Sequence, residues 1–497
     1  MSTSSSSSSS DSESKNSDVE LGDQNKNKDE KNKKKKKQGG LHREDNHHSP
    51  YEGSLAVKLD KFFEISKRGS SFKREIYGGI AMFLASLYIL TVHPQVLQKA
   101  NVPAKGTRMV TALLSGLGTI SMGIFTGIPI FISNGMGQNY FYALTICANN
   151  SYEWNTASSL VFIQGIIIVA ISWGFLRIKF LSSIPPMFRI GIGFGIALFI
   201  GTLGISSMFN NPVTSEPELH FRLLLAVLCL VMITGLILRN KIYVFILAPI
   251  VTSIVSQIIR AAMSDFEMEE WGISGMGDTV FKINFKWKVS ALWLIPVMSI
   301  NQLFDAVCTT LTVIQFAFLD KIQFDEKRFM ALITTSKTSK LQRVIMLTGL
   351  WSSISGAFGN AQMVPFIESI VGGTVGARTG LSSVVTGLCF ILSIFIYPLF
   401  ALIPNEATAP LMVYTTALVI EMITHVDFSD LNTIIPIVIS TITMPLMSSI
   451  LLGIALGYST LILLWLVGPE KKYKDIKWPM IIVFILSVVG IVFELRD

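Results

Sequence analysis

The sequence predicts an all-α polytopic membrane protein, and three observations carry that prediction. Half of the 497 residues are hydrophobic and only 15% are charged, with a mean hydropathy of +0.52, a balance that no water-soluble core accommodates. From Ile76 onward the apolar runs approach the length of about 20 helical residues that crosses a bilayer core. Basic residues are also sorted into alternate connecting segments. The net charge of +7 therefore belongs to a tail and to membrane-facing loops and is no footprint for nucleic acid.

Residues 1–58 are expected to be a disordered, Ser/Lys-rich cytoplasmic tail. A serine run, Ser4 to Ser10, is followed by five lysines, Lys33 to Lys37, with almost no apolar side chain to offset the entropy of ordering. Such a polybasic run can touch anionic lipid, or serve only as a solubilising tail. No basic start followed by a short apolar run opens the chain, so no cleaved signal peptide is expected.

Fourteen spans are read at 76–98, 109–126, 128–146, 156–176, 188–208, 222–238, 242–262, 289–314, 344–358, 362–377, 380–403, 408–424, 431–446 and 448–467. The third is interrupted by Gly127 and Pro129 and the tenth by Pro365, Gly372 and Gly373. Interruptions of this kind predict discontinuous helices, because freed backbone groups at membrane depth survive only beside protein or a polar cavity. Arg177, Lys179 and Arg189, then Arg239 and Lys241, then Lys321 to Arg343, then Lys471 to Lys474 fall on one side, and Glu216, Glu218 and the group Asp265 to Glu270 on the other. This bias predicts a cytoplasmic N-terminus, with Asn149-Asn150-Ser151 as an outward sequon or an unused polar loop. A last apolar stretch, Trp478 to Phe493, is short and flanked by charges and reads as an interfacial helix.

The segment Leu181 to Pro186 leads into a Gly-rich span, and Phe400 to Pro404 leads into another seven spans later. An odd number of spans per half makes the halves antiparallel, the inverted-repeat arrangement of many secondary transporters. The organisation is then a first seven-span repeat at 59–262, an extracytoplasmic loop at 263–288, a second repeat at 289–468, and a cytoplasmic tail at 469–497 that carries the interfacial helix.

Charged groups deep in a membrane cost several kcal/mol and persist where a pore, partner or substrate needs them. Asp305 and Glu368 interrupt apolar spans that contain no Lys or Arg, so each is a site candidate; a protonated, interhelical structural carboxyl is the competing account. Desolvation favours the neutral form of a carboxyl, which makes both candidates for taking up and releasing a proton. Asn134 to Asn139 set amides after a Gly-x-Gly kink, where cavity lining and helix capping are both open. His93 reads as a packing histidine, Glu406 and Glu421 as solvated span ends, and Asn301, Gln302, Thr309 and Thr310 as cavity or packing groups around Asp305. The cysteines Cys147, Cys229, Cys308 and Cys389 lie singly in apolar stretches and read as core residues. No metal-ligand cluster, nucleophile elbow or phosphate loop appears, so neither an enzyme nor a cofactor is expected.

Leu59 to Gly69, Arg74-Glu-Ile-Tyr-Gly-Gly-Ile80, Tyr88-Ile-Leu90, Gly135-Met-Gly-Gln-Asn-Tyr-Phe141, Leu303-Phe-Asp305, Phe366-Ile-Glu-Ser369, Ala377 to Gly387, Ala407 to Pro410 and Ile435-Pro436 together resemble the AzgA-type purine permeases. These are the adenine/guanine/hypoxanthine branch of the nucleobase:cation symporter-2 group, and the matches run in order from about 59 to 468. The resemblance implies fourteen spans in two inverted halves, with a core domain that holds the site and a gate domain against which it moves. It also implies that Asn139, Asp305 and Glu368 bind a purine nucleobase, with Phe304 or Phe366 as stacking faces, and that import is coupled to a proton or another cation. A multi-pass protein of the plasma membrane follows, for which a homodimer is one open assembly. The chain departs from the pattern at Asn134, at Gln138, and at Asn360-Ala361-Gln362, where the family carries hydroxyls. Gln138 and Gln362 thus join the candidate binding set. A carrier of the same fold for another small solute or anion, and a sensor that binds without transport, remain the alternatives.

Overall fold

The computed structural model describes residues 53–149, 152–173, 185–209, 216–237, 239, 244–262, 275–318, 340–395, 404–423, 430–467, 476 and 478–494. The tail before residue 53, residues 150 and 151 of the sequon, the acidic group Asp265 to Glu270, the loop bases Arg177, Lys179, Lys241, Lys321 to Lys337 and Lys471 to Lys474, and the segments 181–184 and 400–403 lie outside the described residues. So does the side chain of Glu421.

The first half contains α1 (Ser54–Phe63), α2 (Phe72–Ser86), α3 (Ile89–Gln98), α4 (Ala104–Thr126), strand β1 (Ile132–Asn134), α5 (Met136–Tyr140) with a π-helical continuation Phe141–Asn149, α6 (Trp154–Trp173), α7 (Pro186–Phe209), α8 (Glu216–Ile237) and α9 (Val244–Ala262). The second contains α10 (Leu294–Phe318), α11 (Lys340–Ala357), strand β2 (Met363–Pro365), α12 (Ser369–Val375), α13 (Gly380–Phe395), α14 (Asn405–Ile423), α15 (Leu431–Leu446), α16 (Ile450–Val467) and α17 (Trp478–Glu494). Five helices among the described residues are long and apolar enough to cross a membrane, and further shorter apolar helices accompany them. The expected interfacial stretch is α17, seated against α16 and α10.

Two boundaries differ from the sequence reading. Helix α1 begins at Ser54, inside the segment expected to be disordered through residue 58, because Phe63 and Ile65 bury their side chains and anchor it. The first span is broken at Leu87 and Tyr88 into α2 and α3. Pro94 lies within α3 and has no N–H to offer the carbonyl four residues back. Arg108 Nε donates to that carbonyl, Leu90 O, at 3.2 Å.

The third and tenth spans are discontinuous, as the Gly/Pro interruptions predict. β1 and β2 pair antiparallel, Ile132 with Pro365, Ser133 with Val364 and Asn134 with Met363. Gly135 N to Gln362 O at 3.1 Å and Phe366 N to Phe131 O at 2.9 Å extend the ladder at both ends. Backbone groups freed at membrane depth are thereby satisfied by each other.

Around this pair the helices form two packing groups. α4 packs on α13, α6 on α11, α2 on α13 and α12, and α10 on α6 and α12; separately, α7 packs on α14 and α15, α8 on α9 and α14, and α15 on α16. Exchanging each span for its counterpart seven spans away maps α4–α13 onto α11–α6, α2–α13 onto α10–α6, and α7–α15 onto α14–α8. These three contacts have images under that exchange of the expected spans, whereas α2–α12 has no image of comparable size.

Glycines make the closest seams. A Cβ on Gly380 would stand 2.0 Å from Gly123 O, and one on Gly387 2.5 Å from Gly116 O, so α4 and α13 touch backbone to backbone. The counterpart seam between α6 and α11 uses Gly165, Gly349 and Gly356 in the same way. Gly380→Ala should consequently lower the thermal unfolding midpoint of the purified protein through about 1–3 kcal/mol of overpacking. Gly235→Ala, where nothing lies within 4 Å of the new methyl, should leave the midpoint unchanged or raise it through helix propensity.

Candidate functional site

The strand pair ends where two short helices begin, α5 at Met136 and α12 at Ser369, just after Glu368. The starts of both helices, with their partial positive charge, thus lie beside the crossing. Third in α5 stands Gln138, whose Nε2 donates to Asp305 Oδ2 of α10 at 2.8 Å; Thr309, one turn on from Asp305, donates to Oδ1 at 2.9 Å. Glu368 Oε1 accepts from the Tyr88 hydroxyl at 2.7 Å. Asp305 and Glu368 are both buried, 2% and 0% exposed, and α10, which carries Asp305, packs on α12, which Glu368 immediately precedes.

Each acid is thus tied to the first half of the chain, Asp305 through Gln138 and Glu368 through Tyr88. Asn139 is buried beside Gln138, and Gln362 gives its carbonyl to Gly135. Among the described residues, Gln138 Oε1, Asn139 Oδ1, Gln362 Nε2 and Glu368 Oε2 are buried without a hydrogen-bond partner. The aromatic candidates are committed elsewhere on at least one edge: Phe366 meets Phe131 edge-on at 5.1 Å, and Phe304 meets Tyr458 of α16 at 5.7 Å.

A layer of amides supports the site from behind. Gln302 Nε2 donates to Met363 O of β2 at 2.9 Å and to Ser352 Oγ at 2.8 Å, and its Oε1 accepts from Gln164 at 2.6 Å. Asn360 Nδ2 donates to Thr111 Oγ1 at 3.1 Å and Asn134 Oδ1 at 3.3 Å. Its Oδ1 therefore faces His93 Nε2, 2.5 Å away, and the imidazole must donate there. His93 is, as expected, a buried packing histidine, held in a hydrogen-bond chain through Asn360, with Asn139 beside the ring.

Three readings change. Glu406, expected to be solvated, is 2% exposed and accepts from Ser256 at 2.7 Å. Arg189, counted with the loop bases, is fully buried in α7, which Pro186 starts as a favoured first helical residue. Tyr88 enters the site without having been singled out as a site residue. Its signal was a phenol inside an apolar span, a group that needs a partner when buried.

A cavity of about 240 Å³ lies between the packing groups, with Tyr88, Met136 and Tyr140 on one wall and Leu203, Ser206 and Met412 on the other. It reaches the site through Tyr88, the residue that holds Glu368. Among the described residues no group of three or more His, Cys, Asp or Glu side chains is arranged to hold a metal ion.

The Permease family model Xan_ur_permease matches residues 73–456. The chain is 27% identical over 464 residues to the adenine permease AdeQ of Escherichia coli, covering 90% of this chain and 99% of that protein. It is 29% identical over 448 residues to the guanine/hypoxanthine permease PbuG of Bacillus subtilis, covering 86% and 99%. Among solved structures, murine Solute Carrier 26 family member A9, an anion transporter in its inward-facing state, superposes with a TM-score of 0.52 at 12% identity, over 91% of this chain and 74% of that one. This likeness is one of fold alone and agrees with an all-helical membrane transporter architecture.

The amide layer makes a stability prediction. Asn360→Ala removes the partner of His93, Thr111 and Asn134 at once and should cost about 1–3 kcal/mol, read as a fall in thermal midpoint. Asn301→Ala, whose Oδ1 already lacks a partner, should cost less.

Proposed function

The chain belongs to the Permease family, matched over residues 73–456, and on that premise we propose that it is a secondary active transporter importing purine nucleobases together with a proton or another cation by alternating access. One observation carries the reading: Gln138 Oε1, Asn139 Oδ1, Gln362 Nε2 and Glu368 Oε2, on the segments that flank the strand pair, are buried and unsatisfied. Each such atom costs about 1–3 kcal/mol unless something polar docks against it. A purine offers the complement, with ring and exocyclic N–H groups for the three oxygens and a ring nitrogen or carbonyl for the amide donor. The naming of relatives as adenine and guanine/hypoxanthine permeases agrees with that complement.

Asn139, Asp305 and Glu368 are the core of the proposed binding set, with Gln138 and Gln362 beside them and Phe304 or Phe366 as the stacking face. Either Asp305 or Glu368 takes up the proton as a neutral carboxyl and releases it on the other side. Fourteen spans in two inverted seven-span repeats fit the paired contacts α4–α13 with α11–α6, α2–α13 with α10–α6, and α7–α15 with α14–α8. The group α2–α6 with α10–α13 is the core, and α7–α9 with α14–α16 the gate. The cavity between them is the access path on one side of the membrane. The N-terminus is cytoplasmic and the membrane is the plasma membrane. Two buried acids disfavour an anion as cargo, and net uptake separates a carrier from a sensor.

The test is uptake of labelled adenine, guanine or hypoxanthine by cells or proteoliposomes under an inward proton gradient. An uncoupler should abolish accumulation, and Glu368→Gln and Asp305→Asn should each lower uptake by about tenfold or more, the equivalent of about 1.4 kcal/mol. Accumulation untouched by the uncoupler would remove proton symport. Competition by uracil equal to that by purines would remove the purine assignment.

A further inference from the structure

Helix α1 has two faces with different fates. Phe63 is 6% exposed, whereas Leu55 and Phe62, one heptad apart on the same side, are 70% and 60% exposed. Lys58 and Lys61 lie on the solvent side of the same helix. An apolar stripe flanked by lysines on a short helix is the pattern of an element lying in a membrane interface.

The segment after α1 is fastened to the helix ends below the site. Arg68 donates to Gly127 O at the C-terminus of α4 and to Arg378 O, the latter at 3.3 Å. Ser70 Oγ donates to Gly376 O at 3.1 Å, closing the C-terminus of α12. Glu75 Oε1 accepts from Arg378 N at 2.8 Å. Residues 53–71 thus strap the far end of α12, the seven-residue helix that begins next to Glu368.

The same region gathers cations. Arg343 donates to Phe125 O at 2.5 Å, beside the carbonyl taken by Arg68. Lys340, the first residue of α11 and ahead of its span, is pushed down to about 8, by burial first and then by Arg68, Arg343 and Lys67 around it, with Glu64 acting in the opposite sense. Glu64 is committed to Arg68 and Lys67, at 2.9 and 3.0 Å. Lys340, Arg343, Arg68 and Lys67 thus gather on this face with Glu64 as the acid among them, and that excess of positive charge is complementary to an anionic surface. A second copy of the chain would bring the same charge to this face and be repelled.

We infer that α1, with its exposed Leu55 and Phe62 and the adjoining basic cluster, is a docking surface for an anionic lipid bilayer, and that lipid bound there holds the strap against the ends of α4 and α12. Uptake then depends on the charge of the leaflet that faces the strap.

Hydrogen exchange on the full-length protein tests this without requiring transport. The protein is placed in nanodiscs of phosphatidylcholine alone or of phosphatidylcholine with phosphatidylserine. Amides within 54–63 should exchange more slowly in the anionic discs. Lys58→Gln/Lys61→Gln should remove that difference, with each lysine worth about fivefold and the pair about 25-fold in the docking equilibrium. Unchanged exchange within 104–126 establishes that the variant is folded. Equal exchange in both lipids, or a variant that responds like the native chain, overturns the inference. So does protection that follows protein density, which marks a second copy as the occupant, or protection reproduced by inorganic phosphate in neutral discs. Where the protein transports purines, the gain in uptake on adding phosphatidylserine should vanish in the same variant. A chain without uptake leaves the exchange result standing by itself.

Discussion

Two interrupted helices meet side by side at their breaks inside the protein, and the unpaired backbone at each break would be ruinous in hydrocarbon. The antiparallel pairing of Ile132–Asn134 with Met363–Pro365 removes that cost by letting each break satisfy the other. Much else follows from this one contact. It sets the start of α5 beside Gln362 at one end of the pair and the start of α12 beside Phe131 at the other. Because the pairing joins segments more than two hundred residues apart, the two halves must fold around each other before either break is paired.

The pair is too short to hold itself, and the surrounding helices supply what it lacks. Ser352 and Gln302 bond Met363 O from α11 and α10, while Asn134 Nδ2 donates to Ser355 Oγ and to Ala361 O. Amides suit this work because each carries donor and acceptor and so can pass a chain of bonds onward, as Gln164 does to Gln302 and Asn360 does between His93, Thr111 and Asn134. Behind the amides, the glycine seams of α4 with α13 and α6 with α11 leave no side chains to slide past one another. The site is set on a stiff support, and the adjoining cavity is bounded on its other wall by the second packing group.

Much of this was legible in the sequence, for identifiable reasons. Long apolar runs report burial in lipid directly, and Gly127, Pro129 and Pro365 marked the broken helices because those residues cannot continue one. Asp305 and Glu368 stood out because an acid in an apolar span is costly wherever its partner lies. What escaped depends on contacts across the fold. Tyr88 and Glu368 are 280 residues apart, and nothing near Tyr88 announces an acid. Glu406 read as solvated from its place near a span end, yet Ser256 of another helix covers it. Arg189 follows two prolines at the edge of an apolar run, where a loop and the first turn of a helix look alike.

The carbonyl bared by Pro94 gives the first span a particular mechanics. Below the break, Gly78 and Gly79 of α2 lie within contact of Gly372, Ala377 and Val385; above it, Arg108 of α4 grips Leu90. The broken span is therefore splinted on both sides of its own fracture. A swing at Leu87 and Tyr88 would have to break one of these two sets of contacts, and the Tyr88 hydroxyl sits on the buried acid between them.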